Sequence, residues 1–437
     1  MTPDLAGALA AAFLSGQWSS TGLLTSGARV VRRPAWLPVL VGEVLEVYRT
    51  APLDRPRELA QVVASRPAAG RARAPRIRTR PAAPTAMVTN PWHLPRLDDL
   101  EDLARLLAVE PRQLAWYADV KGLARTTGDE ALQHYRSSWR PAPSGAVRVL
   151  EAPKPRLKAL QRRLLHEVLA GVPAHDAAHG FRPGRSVATY AAPHARRKVV
   201  LRLDLEGFFA AVSAGRVFGV LRTAGYPEPV AHGLTGLVTT VLPRWAWAGV
   251  PRPADPDLLP AHWRLGRRLA APHLPQGAPT SPALANLAAH RLDARLSGLV
   301  QAWDGSYTRY ADDLALSGDW GGDGSTRLLA LVAQVVVEEG FRLNPRKTAV
   351  LRHGGRQVLG GLVVNQSPHV GRREVDRLRA VLHNCVRTGP GEQNRDGHPD
   401  FRAHLRGRVA WVAQHDPARG ERLRVELDRI DWGEPQR

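Results

Sequence analysis

The chain has 437 residues, which is enough for two or three domains and a sizeable core. It carries 61 Lys and Arg against 40 Asp and Glu, a net charge of +21, and its pI is about 11.2. This balance indicates a polyanionic partner, with nucleic acid as the first candidate, although a solvated basic surface or a GC-rich coding sequence would also produce it.

The remaining composition favours an intracellular protein. The one cysteine, Cys385, excludes an internal disulfide framework and a cysteine-based zinc site, which fits a reducing cytoplasm. The apolar start has no Lys or Arg before Arg29 and includes Asp4, whereas a signal peptide begins with positive charge. No apolar run reaches membrane-spanning length. We therefore expect a soluble, cytoplasmic protein with no membrane partner.

Helical patterns alternate with basic and extended segments along the chain. Residues 1–64 have periodic Leu and Val and predict a helical N-terminal extension. Residues 65–90 are rich in Arg, Pro and Ala without apolar periodicity, which predicts a mobile basic linker, either an arm that holds RNA or a plain spacer. Further on, alternation predicts a strand over 145–153, and an apolar stripe predicts a basic amphipathic helix over 156–172.

Three acidic residues that are far apart in the chain are predicted to meet. An apolar run predicts a short buried strand that ends at Asp204, and residues 306–317 predict two strands joined by a tight turn at Asp312 and Asp313. Neighbouring carboxylates repel, and burying them is costly unless positive charge lies between them. Two divalent cations, roughly 3.5–4 Å apart, would remove that repulsion, and Mg²⁺ suits a few carboxylates combined with substrate phosphates.

Further motifs surround these acids in a definite order. They are a fingers-type element at 178–194, a Pro-Gln-Gly motif with a following helix at 273–296, Tyr-Ala-Asp-Asp at 310–313, Gly-Phe-x-x-Asn-x-x-Lys-Thr at 340–351 and a Leu-Gly strand at 358–365. Together they resemble the palm of a reverse transcriptase. The closest likeness is to retron reverse transcriptases, whose thumb and C-terminal tract resemble the segments at 376–384, 401–412 and 427–432.

The resemblance implies an α/β (α+β) right-hand polymerase fold with fingers, palm and helical thumb, preceded by the helical extension. The palm would be an antiparallel sheet with helices on one face. The implied boundaries are 91–198 for the fingers with their N-terminal helices, 199–366 for the palm, with a fingers insertion at about 213–272, and 367–437 for the thumb.

The resemblance also implies which residues act. Asp204, Asp312 and Asp313 would be the catalytic acids, and with Leu205 they would contact two Mg²⁺ ions, for which Mn²⁺ could substitute. The reaction would be in-line phosphoryl transfer with two metals.

Five residues are expected to contact the incoming nucleotide. Phe209, five positions after the first catalytic acid, matches the steric gate that excludes a ribose 2′-hydroxyl, with a core aromatic as the alternative. Gln276 and Gly277 would line the pocket. Lys347 would protonate or neutralise pyrophosphate, unless it is a solvated lysine. Arg148 would grip the triphosphate, unless it is a sheet-edge charge.

The expected function is RNA-directed DNA synthesis of retron type. The enzyme would copy a cognate structured noncoding RNA from one of its 2′-hydroxyls into a branched, RNA-linked single-stranded DNA (msDNA), in antiphage defence. Its partners would be that RNA template-primer, the DNA product, dNTPs and an effector protein. The residues expected to contact nucleic acid are Tyr310, Ala311, Arg182, Arg185, His194, Arg377 and Arg406.

Two alternatives remain open from the sequence. One is another bacterial reverse transcriptase, intron-derived or defence-associated, although an intron enzyme would need a maturase region or a zinc nuclease module after the thumb. The other is a catalytically inert RNA-binding scaffold with a polymerase fold, against which the three intact acids argue.

Overall fold

A computed structural model of the chain describes residues 1–432, apart from 33, 73–75 and 143. Four predicted segments each include positions outside the described residues. These are position 33 of the extension, positions 73–75 of the linker, position 143 of the fingers and positions 433–437 of the thumb. The helices are α1 (Pro3–Leu14), α2 (Ser20–Val31), α3 (Trp36–Val47), α4 (Pro56–Ser65), α5 (Leu100–Leu107), α6 (Pro111–Tyr117), α7 (Leu123–Thr126), α8 (Pro155–Glu167), α9 (Val187–Ala191), α10 (Phe208–Ala211), α11 (Ala214–Thr223), α12 (Glu228–Val238), α13 (Arg244–Ala248), α14 (Leu259–Leu269), α15 (Ser281–Ala288), α16 (His290–Gln301), α17 (Gly322–Glu338), α18 (Arg372–Thr388), α19 (Phe401–His415) and α20 (Pro417–Asp428). The strands are β1 (Tyr135–Pro141), β2 (Val147–Pro153), β3 (Val199–Asp204), β4 (Ser306–Tyr310), β5 (Asp313–Gly318), β6 (Ala349–Arg352), β7 (Val358–Leu359), β8 (Leu362–Val363) and β9 (His369–Val370). Across the described part of the chain, no helix combines the length and the apolar character needed to cross a bilayer.

The chain forms two compact units, each built from two stretches of sequence. One unit consists of Met1–Ala174 and Phe209–Ala288, and the other of His175–Phe208 and Ala289–Arg437. These units cut across the predicted segments. The N-terminal helices share the first unit with the β1–β2 hairpin, while strands β3 to β6 share the second with helices α18 to α20.

The first four helices pack around a core of their own. α1 and α2 each begin after a hydroxyl residue, Thr2 and Ser19, whose side chain accepts a hydrogen bond from a backbone N–H of the first turn. Leu9, Phe13 and Leu37 are completely buried in this cluster. The periodic Leu and Val positions of the N-terminal extension therefore serve one continuous apolar core.

Within 65–90, described residues on both sides of 73–75 make packing contacts that the composition of the segment does not predict. A 3-10 helix at Pro67–Arg71 buries two alanines, and Ile77 packs against the N-terminal core. Met87 is buried, and its backbone N–H donates to the Asp98 carboxylate at 2.7 Å. The apolar side chains that pack here are few and irregularly spaced. The sequence therefore shows no periodic pattern from which this packing could be predicted.

Polar contacts join the N-terminal helices to α11 and α12 within the first unit. The Asp54 carboxylate pairs with Arg222 at 2.7 Å, and the backbone N–H of Glu228 donates to the Asp54 carbonyl at 2.9 Å. The Glu228 carboxylate in turn accepts the backbone N–H of Arg57 at 2.6 Å. These contacts fix the extension to the predicted fingers insertion.

Strands β1 and β2 form an antiparallel hairpin, and the strand predicted over 145–153 is confirmed as β2. Its Glu151 is buried against His273, with Nε2 and Oε2 2.8 Å apart. Burial alone would lower the pKa of His273, but the hydrogen bond and charge of Glu151 outweigh it and raise that pKa. The backbone N–H of Glu151 also donates to the Gln276 carbonyl at 2.8 Å, which attaches the Pro-Gln-Gly loop to the hairpin.

The second unit is built on a four-stranded antiparallel sheet in the order β4-β5-β3-β6. β3 is flanked by strands on both sides and five of its six residues are buried, which explains why it reads as a nearly continuous apolar run. Val200 of β3 and Ala315 of β5 belong to the same buried cluster as Leu378, Leu405 and Leu423 of α18, α19 and α20.

Candidate active site

The sheet brings two of the predicted catalytic acids into direct register. Asp204 is the last residue of β3, and its antiparallel partner across the ladder is Asp313, the first residue of β5. Facing residues of an antiparallel pair have Cα atoms on the order of 4.5–5.5 Å apart. The third acid, Asp312, precedes β5 directly, and its backbone carbonyl accepts the N–H of Leu205 at 2.9 Å. All three acids therefore lie at the same end of the two central strands, β3 and β5.

The hairpin turn is one residue earlier than predicted. Ala311 and Asp312 form it, and Asp313 already belongs to the strand. Ala311 has a left-handed φ of 57°, as two-residue hairpin turns require, although a Cβ disfavours it. Gly180 packs so closely here that a Cβ at that position would lie 2.7 Å from the Ala311 nitrogen. The tight turn moves Asp313 onto the ladder opposite Asp204.

Both oxygens of the Asp204 carboxylate are occupied by polar neighbours. Lys347 Nζ donates to Oδ1 at 2.7 Å, and Asn344 Nδ2 donates to Oδ2 at 3.2 Å. Asp204 is 5% exposed and Lys347 51% exposed in their side chains. Burial lowers the pKa of Lys347, but the hydrogen bond to Asp204 and the charges of the three acids raise it overall. The lysine is therefore held as a cation beside the acids.

Asp313 shows the electrostatic cost of this arrangement. Burial raises its pKa most, and the charges of Asp312 and Asp204 raise it further, while Lys347 and Arg202 lower it. The result is a pKa of about 6, well above the 3.8 that is usual for an aspartate. The acids repel one another, as their adjacency in the sequence predicts, and a single lysine does not cancel that repulsion.

The donor set suits a hard divalent cation, because it offers carboxylate oxygens and no sulfur or imidazole. Within the described residues, no three His, Cys, Asp or Glu side chains are grouped as a preformed metal cluster. Mg²⁺ retains waters and takes substrate phosphates as ligands, so one or two protein carboxylates are sufficient. Leu205 has a buried side chain without donor atoms, so only its backbone could contact a metal.

A buried arginine supports the turn from behind. Arg309 is fully buried and pairs with Asp293 of α16, which is fully buried too. Its Nη1 donates to the Ala311 carbonyl at 3.0 Å, and its guanidinium lies 5.5 Å from the centre of the Phe208 ring. The side chain that immediately precedes Tyr-Ala-Asp-Asp thus ties the turn to a helix of the same unit.

Known proteins match this chain along most of its length. Residues 138–371 match the family described as "Reverse transcriptase (RNA-dependent DNA polymerase)". The chain is 42% identical over 323 residues to the Retron Mx65 reverse transcriptase of Myxococcus xanthus, covering 74% of this chain and 70% of that protein. It is 37% identical over 355 residues to the Retron Mx162 enzyme of the same organism, covering 77% and 68%. The chain belongs to the retron-type reverse transcriptases.

More distant matches agree with this assignment. The Retron Ec86 reverse transcriptase of Escherichia coli is 27% identical over 343 residues, covering 77% of this chain and 91% of that protein. A solved foamy viral protease-reverse transcriptase in complex with double-stranded DNA aligns with a TM-score of 0.33 at 14% identity, over 73% of this chain and 48% of that chain, which is too remote to decide anything. The predicted polymerase fold and RNA-directed DNA polymerase activity are confirmed by the family, whose members use divalent metal ions.

The predicted nucleotide contacts of the reverse transcriptase lie on several elements. Lys347 belongs to the second unit, beside Asp204. In the first unit, Phe209 is half-buried on α10 and Arg148 is exposed on β2. Gln276 and Gly277 lie on the loop bonded to β2. Gly277 has a φ of 131°, a conformation that favours glycine. Their contacts with nucleotide remain predictions.

Of the residues predicted to contact nucleic acid, some have exposed side chains and others interact with neighbouring protein groups. Arg377 and Arg406 are exposed on α18 and α19, and Arg185 is also exposed. Arg182 donates to the carbonyls of His175 and Ala178 at 2.8 and 3.0 Å, so it holds its own loop together. Tyr310 is half-buried, and its ring centre lies 5.9 Å from that of Tyr190.

The prediction that His194 contacts nucleic acid is wrong, because the structure leaves its side chain no exposed surface. It is completely buried, with Nδ1 2.7 Å from the Ser317 hydroxyl and Nε2 2.7 Å from the Thr308 hydroxyl. Thr308 donates to the Tyr190 carbonyl, so it accepts from Nε2, and the neutral ring then accepts from Ser317. Burial, with the charges of His179 and Arg197, lowers its pKa to about 3.

Three residues of the candidate site are absent from the residues predicted from the sequence. Asn344 was visible as the Asn of the Gly-Phe-x-x-Asn-x-x-Lys-Thr motif, which places it three residues before Lys347. Arg202 shares the face of β3 with Asp204, because alternate strand residues point the same way. Asp293 had no local signal, since its partner Arg309 is 16 residues away.

Proposed function

We propose that this reverse transcriptase copies a cognate structured noncoding RNA into msDNA, with Asp204, Asp312 and Asp313 as the acids that hold Mg²⁺. The observation that carries the proposal is the register pair of Asp204 and Asp313 with Asp312 beside them. The pKa of Asp313 is raised by its acidic neighbours as well as by burial, and divalent cations would relieve that repulsion. Mn²⁺ would substitute for Mg²⁺ at the same oxygen ligands.

The chemistry would be in-line transfer of a nucleotidyl group to the primer hydroxyl. When bound, the metal ions supply a lowered pKa for that hydroxyl and charge stabilisation for the leaving pyrophosphate. Asn344 and Lys347 orient the Asp204 carboxylate through its two oxygens. Lys347, a cation with a raised pKa, would protonate or neutralise the pyrophosphate as it leaves.

The remaining residues would select and place the substrates. Phe209 would exclude the ribose 2′-hydroxyl, and Gln276 and Gly277 would line the nucleotide pocket with Arg148 on the triphosphate. The backbone at Ala311 and the Tyr310 ring would approach the primer end. Template, primer and product would contact Arg182, Arg185, Arg377 and Arg406, all of which carry a charge that suits phosphates.

A primer-extension assay with Mg²⁺ tests the catalytic assignment. The double variant Asp312→Asn, Asp313→Asn should lose incorporation by a factor of about 10³ or more, as losses of catalytic charge do. A matched control, Asp396→Asn with Asp428→Asn, removes two exposed carboxylates and should retain the parental rate. Equal incorporation by the catalytic variant and the control would remove the assignment.

The product distinguishes retron synthesis from generic copying. With the RNA transcribed from the DNA flanking its gene, the parent enzyme should yield DNA that remains joined to RNA after denaturation and is freed by cleavage of a 2′,5′-phosphodiester. A product released as free DNA from an added primer would contradict the retron mode and leave the polymerase intact.

Antiphage defence and an effector protein complete the proposal. Plating of phage on cells that express the parent locus or the Asp312→Asn, Asp313→Asn locus tests the defence role. We expect protection by the parent locus only. Equal plating efficiency on both would contradict a defence role that depends on DNA synthesis.

A further inference from the structure

An extended segment lies across the end of helix α2 in the N-terminal extension. We call residues 76–80, Arg-Ile-Arg-Thr-Arg, the arginine strap. The backbone N–H of Arg78 donates to the Val30 carbonyl at 2.9 Å, and the Thr79 hydroxyl donates to the Arg29 carbonyl at 3.0 Å. Ile77 packs against the N-terminal core. The strap is therefore held in place on a folded domain.

The strap directs its charges outward. Arg76, Arg78 and Arg80 are exposed, while Ile77 between them is half-buried. Alternate residues of an extended chain lie about 6.6 Å apart, a spacing comparable with that of successive phosphates along a nucleic acid strand. Arg29, at the end of α2, is exposed directly beside the strap. The result is a row of guanidinium groups on a fixed backbone.

The surrounding domain leaves this positive charge largely uncompensated. The first 80 residues contain 12 Arg and no Lys against five Asp and Glu. Four of those five acids are already engaged: Asp4 with Arg80, Glu43 with the backbone N–H of Ala68, Asp54 with Arg222, and Glu58 with the Tyr48 hydroxyl. Only the Arg80 end of the strap has an acidic partner among these contacts.

Structural roles account for only some of the arginines in this row. A cation near a helix C-terminus interacts favourably with the helix dipole, which accounts for Arg29. Arg76 and Arg78 lie outside any helix, and the strap is held by its backbone, Ile77 and Thr79. A fold that needed this segment only as a tether would not require arginine at alternate positions.

We propose that the arginine strap, together with Arg29, is a docking surface for the phosphate backbone of the structured RNA that this enzyme copies. Guanidinium groups form two parallel hydrogen bonds to phosphates as they do to carboxylates, and the regular spacing of the strap favours a nucleic acid backbone over an acidic protein surface. Contacts to phosphate position RNA without reading its sequence, so the strap recognises shape and charge. This surface is additional to the polymerase site. The identity of its ligand as the copied RNA rests on the proposed function, whereas a test of RNA binding does not require synthesis of msDNA.

Salt-dependent binding tests the proposal directly on the full chain. The test variant is Arg29→Gln, Arg76→Gln, Arg78→Gln, and the probe is a fluorescently labelled RNA stem–loop. Each lost phosphate contact should reduce the slope of log K against log salt by about 0.7–0.9, so the slope should fall by roughly two units. We expect the Kd to rise about tenfold or more at moderate salt.

A charge-matched control separates the strap from net charge. Arg96→Gln, Arg105→Gln, Arg424→Gln removes three exposed arginines that are already paired with acids. This control should change the Kd by less than about twofold, since those charges are neutralised in place. Equal losses in the two variants, or no change of slope in the strap variant, would overturn the proposal. So would unchanged RNA binding with a loss of binding to anionic vesicles or to an effector.

One readout tests whether the strap variant is otherwise intact. Its rate of extension on a short generic template-primer should equal that of the parent, which distinguishes a failed docking surface from a failed polymerase.

Directed cleavage shows where the RNA lies. Arg78→Cys introduces a thiol into a chain whose natural Cys385 is buried. An iron chelate attached at Arg78→Cys should cleave the bound stem–loop at clustered positions. A chelate at Glu421→Cys is the comparison. Cleavage from Glu421→Cys but not from Arg78→Cys would contradict the assignment.

Discussion

The carboxylate of Asp293 and the guanidinium of Arg309 form a two-point ion pair that is completely buried. Arg309 donates from Nε to Oδ1 at 2.8 Å and from Nη2 to Oδ2 at 2.6 Å, and the Tyr307 hydroxyl donates to the same carboxylate at 2.8 Å. Removing two charges from water costs several kcal/mol per ion, and complete hydrogen bonding is needed to offset it. Nη1 of Arg309 donates to the Ala311 carbonyl, so the pair positions the hairpin turn that carries Asp312.

Breaking this pair should affect folding and catalysis, and the two effects can be separated. Asp293→Asn should lower the free energy of unfolding by about 3–5 kcal/mol, because it leaves the Arg309 charge buried without a partner. The double variant Asp293→Leu, Arg309→Met should recover most of that loss, since apolar groups of similar volume often replace a buried pair. We expect it to remain at least about tenfold slower in incorporation, because the Ala311 carbonyl has lost its donor.

Urea unfolding and single-turnover kinetics measure these two quantities on the same samples. The Kd for the template-primer should change little in the double variant, since no surface charge is altered. A double variant that is as stable and as fast as the parent would show that the pair serves stability alone.

Adjacent phenylalanines should behave differently on truncation. Phe209→Ala should raise the incorporation of ribonucleotides relative to deoxyribonucleotides by about tenfold or more, because the half-buried ring would no longer exclude the 2′-hydroxyl. Phe208→Ala is the control. Its ring is buried against Phe341 and Arg309, so its loss should cost about 3–5 kcal/mol of stability with no change in sugar preference. Competition between labelled dNTP and rNTP decides the matter, and an unchanged ratio in Phe209→Ala would count against the gate.

His194 should make the protein acid-sensitive. Its pKa is about 3 in the folded state, whereas an unfolded histidine has a pKa of about 6.5. Between these values the unfolded chain binds the extra proton, so stability is complete above about pH 6.5 and falls by up to 1.4 kcal/mol per pH unit below it. His179, with a pKa lowered to about 4, contributes with the same sign.

The non-titrating variant His194→Gln isolates this contribution. Between about pH 7.5 and pH 5, the parent should lose more unfolding free energy than the variant does. Urea unfolding at both pH values measures the difference. Identical pH dependence in the two proteins would mean that the ring accepts a proton without leaving its site.

The ion pair between Asp54 and Arg222 should anchor the N-terminal helices. Asp54 and Arg222 are 13% and 19% exposed in their side chains, so Asp54→Asn leaves a largely buried cation without its partner. We expect a loss of about 1–3 kcal/mol and faster tryptic cleavage within residues 65–90. Glu421→Gln is the control, because its pair with Arg424 is 64% and 56% exposed and lies outside that segment, so its loss should change stability and cleavage little. Equal protease sensitivity of the two variants would contradict the anchoring role.

Sequence alone determined the family and the order of the polymerase motifs, and it predicted that three acids meet. These features are local, because a strand that ends in Asp204 and a hairpin that carries Asp312 and Asp313 are both visible in short windows. The Lys of the Gly-Phe-x-x-Asn-x-x-Lys-Thr motif was identified in the same way.

Only the tertiary structure decided which polar residues serve the surface and which serve the interior. A histidine shortly before β3 looks the same in sequence whether it contacts RNA or two buried hydroxyls, and His194 contacts the hydroxyls. The partner of Arg309 and the packing of residues 76–90 depend on contacts between distant segments. Burial and long-range pairing are properties of the folded chain, because the cost of burying a charge is set by neighbours that the sequence does not place beside it.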